Sequence, residues 1–208
     1  MATKKSVKKK SAKPGSSTVA KNALVTPKRP IKIAPTRSPT RAPNRSPSLA
    51  PSRLHEISQL LFQQAEALDS KSWQAFIDLF TNDGVYWAPT DPSHTHWDGM
   101  PSIFTEDRDL MTVRMKRIQH PNAWSQQAEW GTSHVVGNIT VERIDKNGDV
   151  HTHARFHMLE LRRDDVRHFA GSYRHHFAKT KAGYRIKLQR VDMINAQAPF
   201  EYVLQAWV

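Results

Sequence analysis

The chain contains no cysteine among its 208 residues. This absence excludes disulfide bonds, thiolate catalysis and cysteine-ligated zinc. It also excludes an iron–sulfur cluster held by cysteines of this chain. Chemistry of those kinds would have to reside on another polypeptide.

The first 53 residues lack several residue types that the rest of the chain contains. Residues 1–53 have no Asp, Glu, His, Phe, Tyr or Trp, but they hold 14 of the 31 Lys and Arg and eight of the 13 Pro. A segment with so few large apolar side chains cannot bury enough surface to offset the entropy of ordering it. We therefore expect residues 1–53 to form a disordered basic tail rich in Pro, Ser, Lys and Arg, and residues 54–208 to form the folded domain.

The strong positive charge belongs to this tail. The whole chain carries +12 with a pI near 10.1, which is typical of nucleic-acid binders, yet residues 54–208 hold 17 basic against 19 acidic side chains. Lysines such as those at 8–10 could attract phosphates, but no aromatic residue is interleaved with them for base stacking. Unspecific nucleic-acid binding through the tail is therefore an alternative function, and nucleic acid is not an expected partner.

The sequence also lacks a long apolar run. No stretch approaches the roughly 18 apolar residues that a membrane span needs, and the lysine-rich start is not followed by the apolar stretch of a signal peptide. We therefore expect a cytoplasmic protein with no membrane partner. All 18 aromatic residues lie in residues 54–208, enough for one core.

The beginning of the domain has helical periodicity. Apolar residues recur at three-four spacing from Leu54 to Ser70, which predicts an amphipathic helix. A shorter second helix, capped by Asp69 or Ser70, would present four apolar side chains on one face: Trp73, Phe76, Ile77 and Phe80. After a strand beginning at Val85 and a loop at 89–102, a third helix is predicted to begin near Thr105.

After Gly131 the apolar period changes to two. Strands are predicted over 132–144, 150–163, 169–180 and 184–195, with a short edge strand at 201–207. The turn Asp145-Lys146-Asn147-Gly148 is a strong hairpin signal. Helices followed by antiparallel strands predict an α+β fold, in which a curved sheet wraps two or three N-terminal helices into a cone.

Short strings distributed in order along residues 54–205 carry a family resemblance. They are Ala67-Leu68-Asp69-Ser70-Lys71-Ser72-Trp73, Leu79-Phe80-Thr81, Tyr86-Trp87-Ala88-Pro89, Ser102-Ile103-Phe104, Asp107-Arg108, Leu110, Arg114, Arg117-Ile118, Ala123-Trp124, Thr132-Ser133-His134-Val135-Val136, Asn138-Ile139, Val141, Gly171, Arg174 and Arg185-Ile186-Lys187-Leu188-Gln189-Arg190. Together they resemble the small (β) subunits of aromatic-ring-hydroxylating dioxygenases, which have the nuclear-transport-factor-two-like (cystatin-like) cone fold. Gly131-Thr132-Ser133-His134 and Gly171-Ser172-Tyr173-Arg174 depart from the usual pattern, so the aromatic substrate stays open.

The resemblance implies a non-catalytic structural subunit in aromatic compound catabolism. Such subunits assemble with large α subunits, typically three of each, and the α subunit carries the Rieske [2Fe–2S] cluster and the mononuclear iron. It further implies self-association through the cone and indirect contact with a reductase or ferredoxin. No catalytic, cofactor-binding or metal-binding residue is then expected in this chain. The residues expected to act at interfaces or as internal braces are Arg108, Arg114, Arg117 and Trp124.

A stand-alone isomerase or dehydratase is the alternative that the cone fold raises. Enzymes of this superfamily place an Asp–His pair in the cavity for proton transfer. The candidates here are Asp69, Asp78 or Asp83 with His134 or His157, and Tyr86 as a hydrogen-bond donor. Against this alternative, we expect the cavity to be filled by apolar groups, namely Trp73, Phe76, Phe80 and Trp87.

Several histidines are spaced so that they could bind metal. His151, His153 and His157 share one strand face, but Arg155 lies between them and opposes a divalent cation. His94 and His96 lie in a loop with Asp91 and Asp98, which we expect to be solvated. His175 and His176 point to opposite strand faces and cannot act as a pair. For the strand face with His151, His153 and His157, the prediction is therefore a polar surface at a subunit interface.

Overall fold

The structure, a computed structural model, describes residues 49–126, 129–200, 204, 207 and 208. Residues 1–48 of the predicted disordered tail (1–53) and most of the predicted edge strand at 201–207 lie outside these residues. Leu204 and Trp207, which are described, are not in a strand. The elements in chain order are α1 Pro51–Asp69, α2 Trp73–Asp78, β1 Phe80–Pro89, β2 Ser102–Asp107, α3 Arg108–Ile118, a 3₁₀ turn Trp124–Gln126, β3 Trp130–Ile144, β4 Val150–Arg162, β5 Asp165–Thr180 and β6 Gly183–Met193.

The first two helices are confirmed with different ends. Helix α1 begins at Pro51, before the predicted Leu54, because proline suits the first turn of a helix. The predicted caps of α2 are wrong: Ser70 caps the carboxyl end of α1 and Lys71 has a φ of 58°, so α2 starts after Ser72. Phe80, predicted on α2, is the first residue of β1 and is fully buried.

The predicted start of the third helix at Thr105 is also wrong. Thr105 lies in β2, where it pairs with Trp87 of β1 in an antiparallel ladder. Helix α3 begins at Arg108, after Asp107, whose side chain accepts a hydrogen bond from the Leu110 amide at 2.9 Å. An aspartate in that position satisfies an amide at the helix start, so the cap lies two residues later than predicted.

The four long strands are confirmed, and they form most of one six-stranded sheet. The strand order is β2-β1-β6-β5-β4-β3. All neighbours are antiparallel except β1 and β6, which run parallel. The sheet is curved and unclosed, with β2 and β3 at its edges, and irregularities in the β3–β4 register are of the kind that bend strands. The fold is α+β, as predicted.

The core lies between the inner face of the sheet and the helices. Alternate residues of β4 are buried, as expected for strands with one face on a core. Phe156 and Tyr173 stack on this face with ring centroids 4.3 Å apart. Three of the four residues predicted to fill the interior belong to this core: Trp73, Phe76 and Phe80. The prediction is wrong for Trp87, which is buried outside that core, with its Nε1 donating to Ser102 Oγ at 2.9 Å and the Arg190 guanidinium against its ring.

No helix in the described parts of the chain is long and apolar enough to cross a membrane.

Candidate functional site

One of the predicted Asp–His pairs exists inside the cone. Asp69 Oδ1 lies 2.6 Å from His134 Nδ1, and the His134 side chain is only 1% exposed. Asp69 also accepts hydrogen bonds from Thr132 Oγ1 at 2.8 Å and from the His134 amide at 2.7 Å. Burial acts to raise the pKa of Asp69, but the hydrogen bonds from His134 and Thr132 outweigh it and lower the pKa overall. Asp69 is therefore an ionised acceptor that joins the end of α1 to β3.

The other predicted members of an acid–base pair are apart. Asp78 lies at the surface, 3.1 Å from Arg108, and Asp83 has a side chain 71% exposed near Lys187. His157 is on the outer face of the sheet. The candidates therefore reduce to Asp69 and His134.

Aromatic side chains fill the interior beside this pair. Trp73 stacks on Trp130 at 6.0 Å, and Trp207 lies 5.8 Å from Trp73 and 4.9 Å from Phe76. Burial raises the pKa of Tyr86 well above its ordinary value, so its hydroxyl stays protonated and donates to the Val208 carbonyl at 2.9 Å. The hydroxyl of Tyr86, the predicted hydrogen-bond donor, is therefore occupied by hydrogen bonds with the backbone of Val208.

Two of the four predicted interface or brace residues are internal braces. Arg108 donates to the Phe80 carbonyl at 2.8 Å and ties β1 to α3. Arg114 donates through Nε to Glu106 Oε1 at 2.7 Å. Glu106 is buried and also accepts from Trp207 Nε1 at 2.9 Å. The burial of Glu106 could not be predicted from the sequence of β2, because the partners of its carboxylate come from α3 and from Trp207.

The other two, Arg117 and Trp124, lie on an exposed surface. We name this the helical surface and define it by Leu110, Val113, Arg117 and Trp124. Trp124 is 78% exposed and Val113 is 61% exposed. Lys116, Arg117 and Trp124 are among the lining residues of a pocket of ≈ 560 Å³. Exposed large apolar residues grouped in this way mark interaction sites.

A second exposed apolar group lies on the outer face of the sheet, near the edge strand β3. We name it the strand surface; its members are Val135, Leu159, Leu161 and Val166. Leu161 pairs with Val166 across β4 and β5, and Ser133 pairs with Leu159 across β3 and β4. This surface is not among the sites predicted from the sequence. The signal was present, because Leu159 and Leu161 continue the outward alternation of the strand histidines.

The strand histidines are placed as predicted. His151, His153 and His157 point outward from β4, and Arg155 lies between them on the same face. Partial burial, followed by the positive charge of Arg155, lowers the pKa of His153. His157 Nδ1 lies 3.0 Å from His168 Nε2.

The adjacent histidines of β5 lie on opposite faces, also as predicted. His175 is buried, and its Nε2 lies 3.2 Å from Gln64 Oε1. His176 lies on the outer face, with Nε2 3.1 Å from Asp149 Oδ2.

The loop that carries His94 and His96 is mostly exposed, as predicted, but Arg190 anchors it. Arg190 donates to the carbonyls of His94 and Pro92, and its guanidinium lies 4.6 Å from the centre of the Trp87 ring. Asp91 accepts from the Ser93 amide at 2.8 Å and forms a local turn. The carboxylate therefore shapes the loop.

Comparison with known proteins agrees with this fold. A family model described as ring hydroxylating beta subunit matches residues 63–199. The chain is 27% identical over 148 residues to the small subunit of anthranilate 1,2-dioxygenase from Acinetobacter baylyi, a match that covers 67% of this chain and 88% of that protein.

Solved structures show the same fold. The β subunit of benzoate 1,2-dioxygenase from Burkholderia mallei matches with a TM-score of 0.59 and 24% identity, over 73% of this chain and 97% of that one. A structure of naphthalene 1,2-dioxygenase with indole bound in its active site matches with a TM-score of 0.62 and 15% identity, over 77% of this chain and 88% of that one.

The family match covers well over half of the chain. The chain therefore belongs to the β subunit family of the aromatic-ring-hydroxylating dioxygenases. Proteins of this family are parts of oxidoreductase complexes, and the α+β fold predicted from the resemblance is the one observed.

Proposed function

We propose that this chain is the non-catalytic, structural β subunit of a Rieske non-haem iron dioxygenase that hydroxylates an aromatic compound. The large α subunit would carry the Rieske [2Fe–2S] cluster and the mononuclear iron, in a complex of three α and three β subunits. The composition supports this division, since a Rieske centre needs two cysteines and this chain has none. The observation that carries the proposal is the family match over residues 63–199.

The interior supports a structural role. Asp69 and His134 would be the only acid–base pair left from the predicted candidates, and both Asp69 oxygens already accept hydrogen bonds from β3. Trp73, Trp130 and Trp207 pack in the adjoining space. Side chains in such an arrangement hold a fold together, and they leave the oxidative chemistry to the α subunit.

The two exposed surfaces support assembly with two kinds of neighbour. In a complex that stacks a ring of three β subunits on a ring of three α subunits, each β subunit contacts both an α subunit and other copies of itself. The helical surface places apolar side chains beside the cations of Lys116 and Arg117. Such a surface suits contact with a different chain whose carboxylates can pair with these cations. The four side chains that define the strand surface are uncharged, and the cross-strand neighbours of Val135 and Leu159 on that face are His157 and His168. This surface therefore suits contact between two copies of the chain. We assign the helical surface to the α subunit and the strand surface to self-association.

The proposal extends to domain organisation and location. The folded β subunit domain would follow a basic tail, with its start moved from Leu54 to the beginning of α1 at Pro51. A cytoplasmic location is part of the proposal, because oxygenases of this class draw electrons through a reductase from a nicotinamide cofactor. Limited proteolysis of the purified chain tests the boundary, since a protected fragment should begin near Pro51.

The assembly proposal is tested by co-expressing the chain with a dioxygenase α subunit from the same organism and capturing the complex through a tag on the α subunit. W124A and R117E should each weaken capture, W124A by about thirtyfold, because an aromatic anchor at the centre of an interface is worth about 2 kcal/mol or more. W97A is the matched control, since Trp97 is an exposed tryptophan in the 90–101 loop.

Self-association needs a separate variant. L161D should lower the mass of the assembled particle, while I194D, at an exposed apolar residue outside the strand surface, should leave it unchanged. Each isolated variant should keep the wild-type circular dichroism spectrum. Wild-type capture by both W124A and R117E, together with a wild-type particle mass for L161D, would contradict the assignment of these surfaces.

A further inference from the structure

The β3–β4 turn brings three potential metal ligands together at the outer face of the sheet. Asp145 directly follows the last residue of β3, and His151 is the second residue of β4, after the turn. The strand register places His176 of β5 directly opposite His151. Their imidazole rings stack with centroids 4.2 Å apart and an interplanar angle of 25°. Residues from three positions in the sequence therefore meet at one end of the sheet.

The ligand atoms of these residues are close enough to share one ion. One ring nitrogen of each imidazole and a carboxylate oxygen of Asp145 all lie within 4.8 Å of one another. His151 Nε2 is 2.9 Å from Asp145 Oδ2. Two imidazoles and one carboxylate form a ligand set that suits zinc, cobalt, nickel or iron(II), whereas magnesium and calcium prefer oxygen ligands alone.

A second carboxylate holds His176 in place. Asp149 Oδ2 lies 3.1 Å from His176 Nε2, while Asp149 Oδ1 accepts from the Lys179 amide at 2.9 Å. The Asp149 amide in turn donates to Asn147 Oδ1 at 3.1 Å. A carboxylate bonded to a histidine fixes the ring orientation and raises its basicity, which is the usual support of a metal-binding imidazole.

Arg143 places a positive charge against the same ligands. Its Nη2 lies 2.7 Å from His151 Nε2, and its Nε lies 2.8 Å from Asp145 Oδ1. A guanidinium in hydrogen-bond contact with both groups has the position and the charge sign that a bound cation would have. The Arg143 side chain is 64% exposed, so it can turn into solvent when an ion binds.

We propose that Asp145, His151 and His176 form a binding site for a divalent transition-metal ion, that Asp149 positions His176, and that Arg143 competes with the ion. The ion would link the β3–β4 turn to β5. His153, two residues along β4, faces Arg155, so the site ends at His151. The proposal is independent of the assembly with an α subunit.

Zinc is the probe for the test, with the full chain freed of metal by a chelator and then titrated against a chromophoric zinc indicator near neutral pH. The wild type should bind one zinc ion more than H151A or H176A, and D145N should also weaken binding. D149N should reduce the affinity by about tenfold or more, as expected for loss of a carboxylate that supports a histidine ligand. R143A should bind zinc more tightly than the wild type, because the competing cation is removed.

The matched controls are H153A and the double variant H157A/H168A, which remove outward-facing histidines elsewhere on the sheet. Both should retain the wild-type stoichiometry and affinity. Zinc should also raise the melting temperature of the wild type and R143A but not that of H151A. Equal zinc binding by the wild type, H151A and H176A, or weaker binding by R143A, would overturn the proposal. Circular dichroism of each variant confirms that these surface substitutions leave the fold intact.

Discussion

Asp69 at the end of α1 and His134 in the edge strand β3 are joined by a contact of 2.6 Å between Oδ1 and Nδ1. Within the sheet, β3 is an edge strand that pairs with β4. Outside the sheet, β3 packs on helix α1. The Asp69–His134 contact therefore fixes one side of the cone. In a proton-transfer enzyme of this fold such a pair would face substrate; here it connects two elements.

Replacing Asp69 by asparagine should destabilise the fold. D69N removes a charged acceptor of three hydrogen bonds, so the free energy of unfolding near neutral pH should fall by about 1–3 kcal/mol. The pKa of Asp69 is lowered in the folded chain. Its contribution is therefore present above the ordinary pKa of about 4 and is lost as the pH falls through the folded pKa. Urea unfolding at neutral and acid pH should show a smaller loss on acidification for D69N than for the wild type. The exposed-loop variant D98N should behave like the wild type.

His175 should make the protein sensitive to mild acid. Burial lowers the pKa of His175 to about 3. The unfolded chain takes up a proton at this residue near pH 6.5, so stability from this source should fall by about 1.4 kcal/mol per pH unit between roughly pH 6 and 3. H175Q should remove that part of the slope in urea unfolding measured across the range. H157Q, at an exposed histidine, should keep it; identical slopes for H175Q and the wild type would refute the assignment.

Trp207 should be a major contributor to stability. It is fully buried, packs on Trp73 and Phe76, and donates to Glu106. W207A should cost about 3–5 kcal/mol of unfolding free energy, since a large buried side chain is removed. W207F should cost less, because it retains part of the aromatic packing while it loses the hydrogen bond to Glu106 and some buried volume. The matched control, W97A, should change the midpoint of chemical unfolding little.

Gly171 in β5 should tolerate no side chain. A Cβ atom there would lie 2.0 Å from the Asp192 carbonyl oxygen, a backbone atom that cannot rotate away. G171A should therefore destabilise the fold by about 2 kcal/mol or more through overpacking. G131A in β3 is the control, because nothing lies within 4 Å of a Cβ at that position. A melting temperature for G171A equal to that of G131A would show that this strand can shift.

The local signals in the sequence explain which elements were predictable. The four long strands follow from a period of two and from the turn at Asn147-Gly148, whose Gly148 has a φ of 89°. β2 was not predictable, because its residues Ser102–Asp107 are few and its polar end suggests a helix cap. Its strand character comes from pairing with β1. The parallel pairing of β1 with β6 joins distant segments, and no local pattern reports it.

The candidate sites also divide into those that local sequence patterns predict and those that only the folded chain brings together. The composition and ordered strings identified the β subunit, and they placed Arg117 and Trp124 among the interface candidates. The partner of Asp69 could be named as one of two histidines but not chosen, because α1 and β3 meet only in the folded chain. The opposition of His151 and His176 depends on the register of β4 against β5. Counting residues outward from the β4–β5 turn at 163–164 could have suggested this pairing.

The most direct test of the proposed function is the mass of the particle formed when this chain is co-expressed with a dioxygenase α subunit from the same organism and analysed by native mass spectrometry. We predict a complex that contains both chains in equal number, three of each, and that loses the β subunit when W124A or R117E replaces the wild-type chain. A chain that remains a monomer or assembles only with itself in the presence of the large subunit would contradict the proposed function.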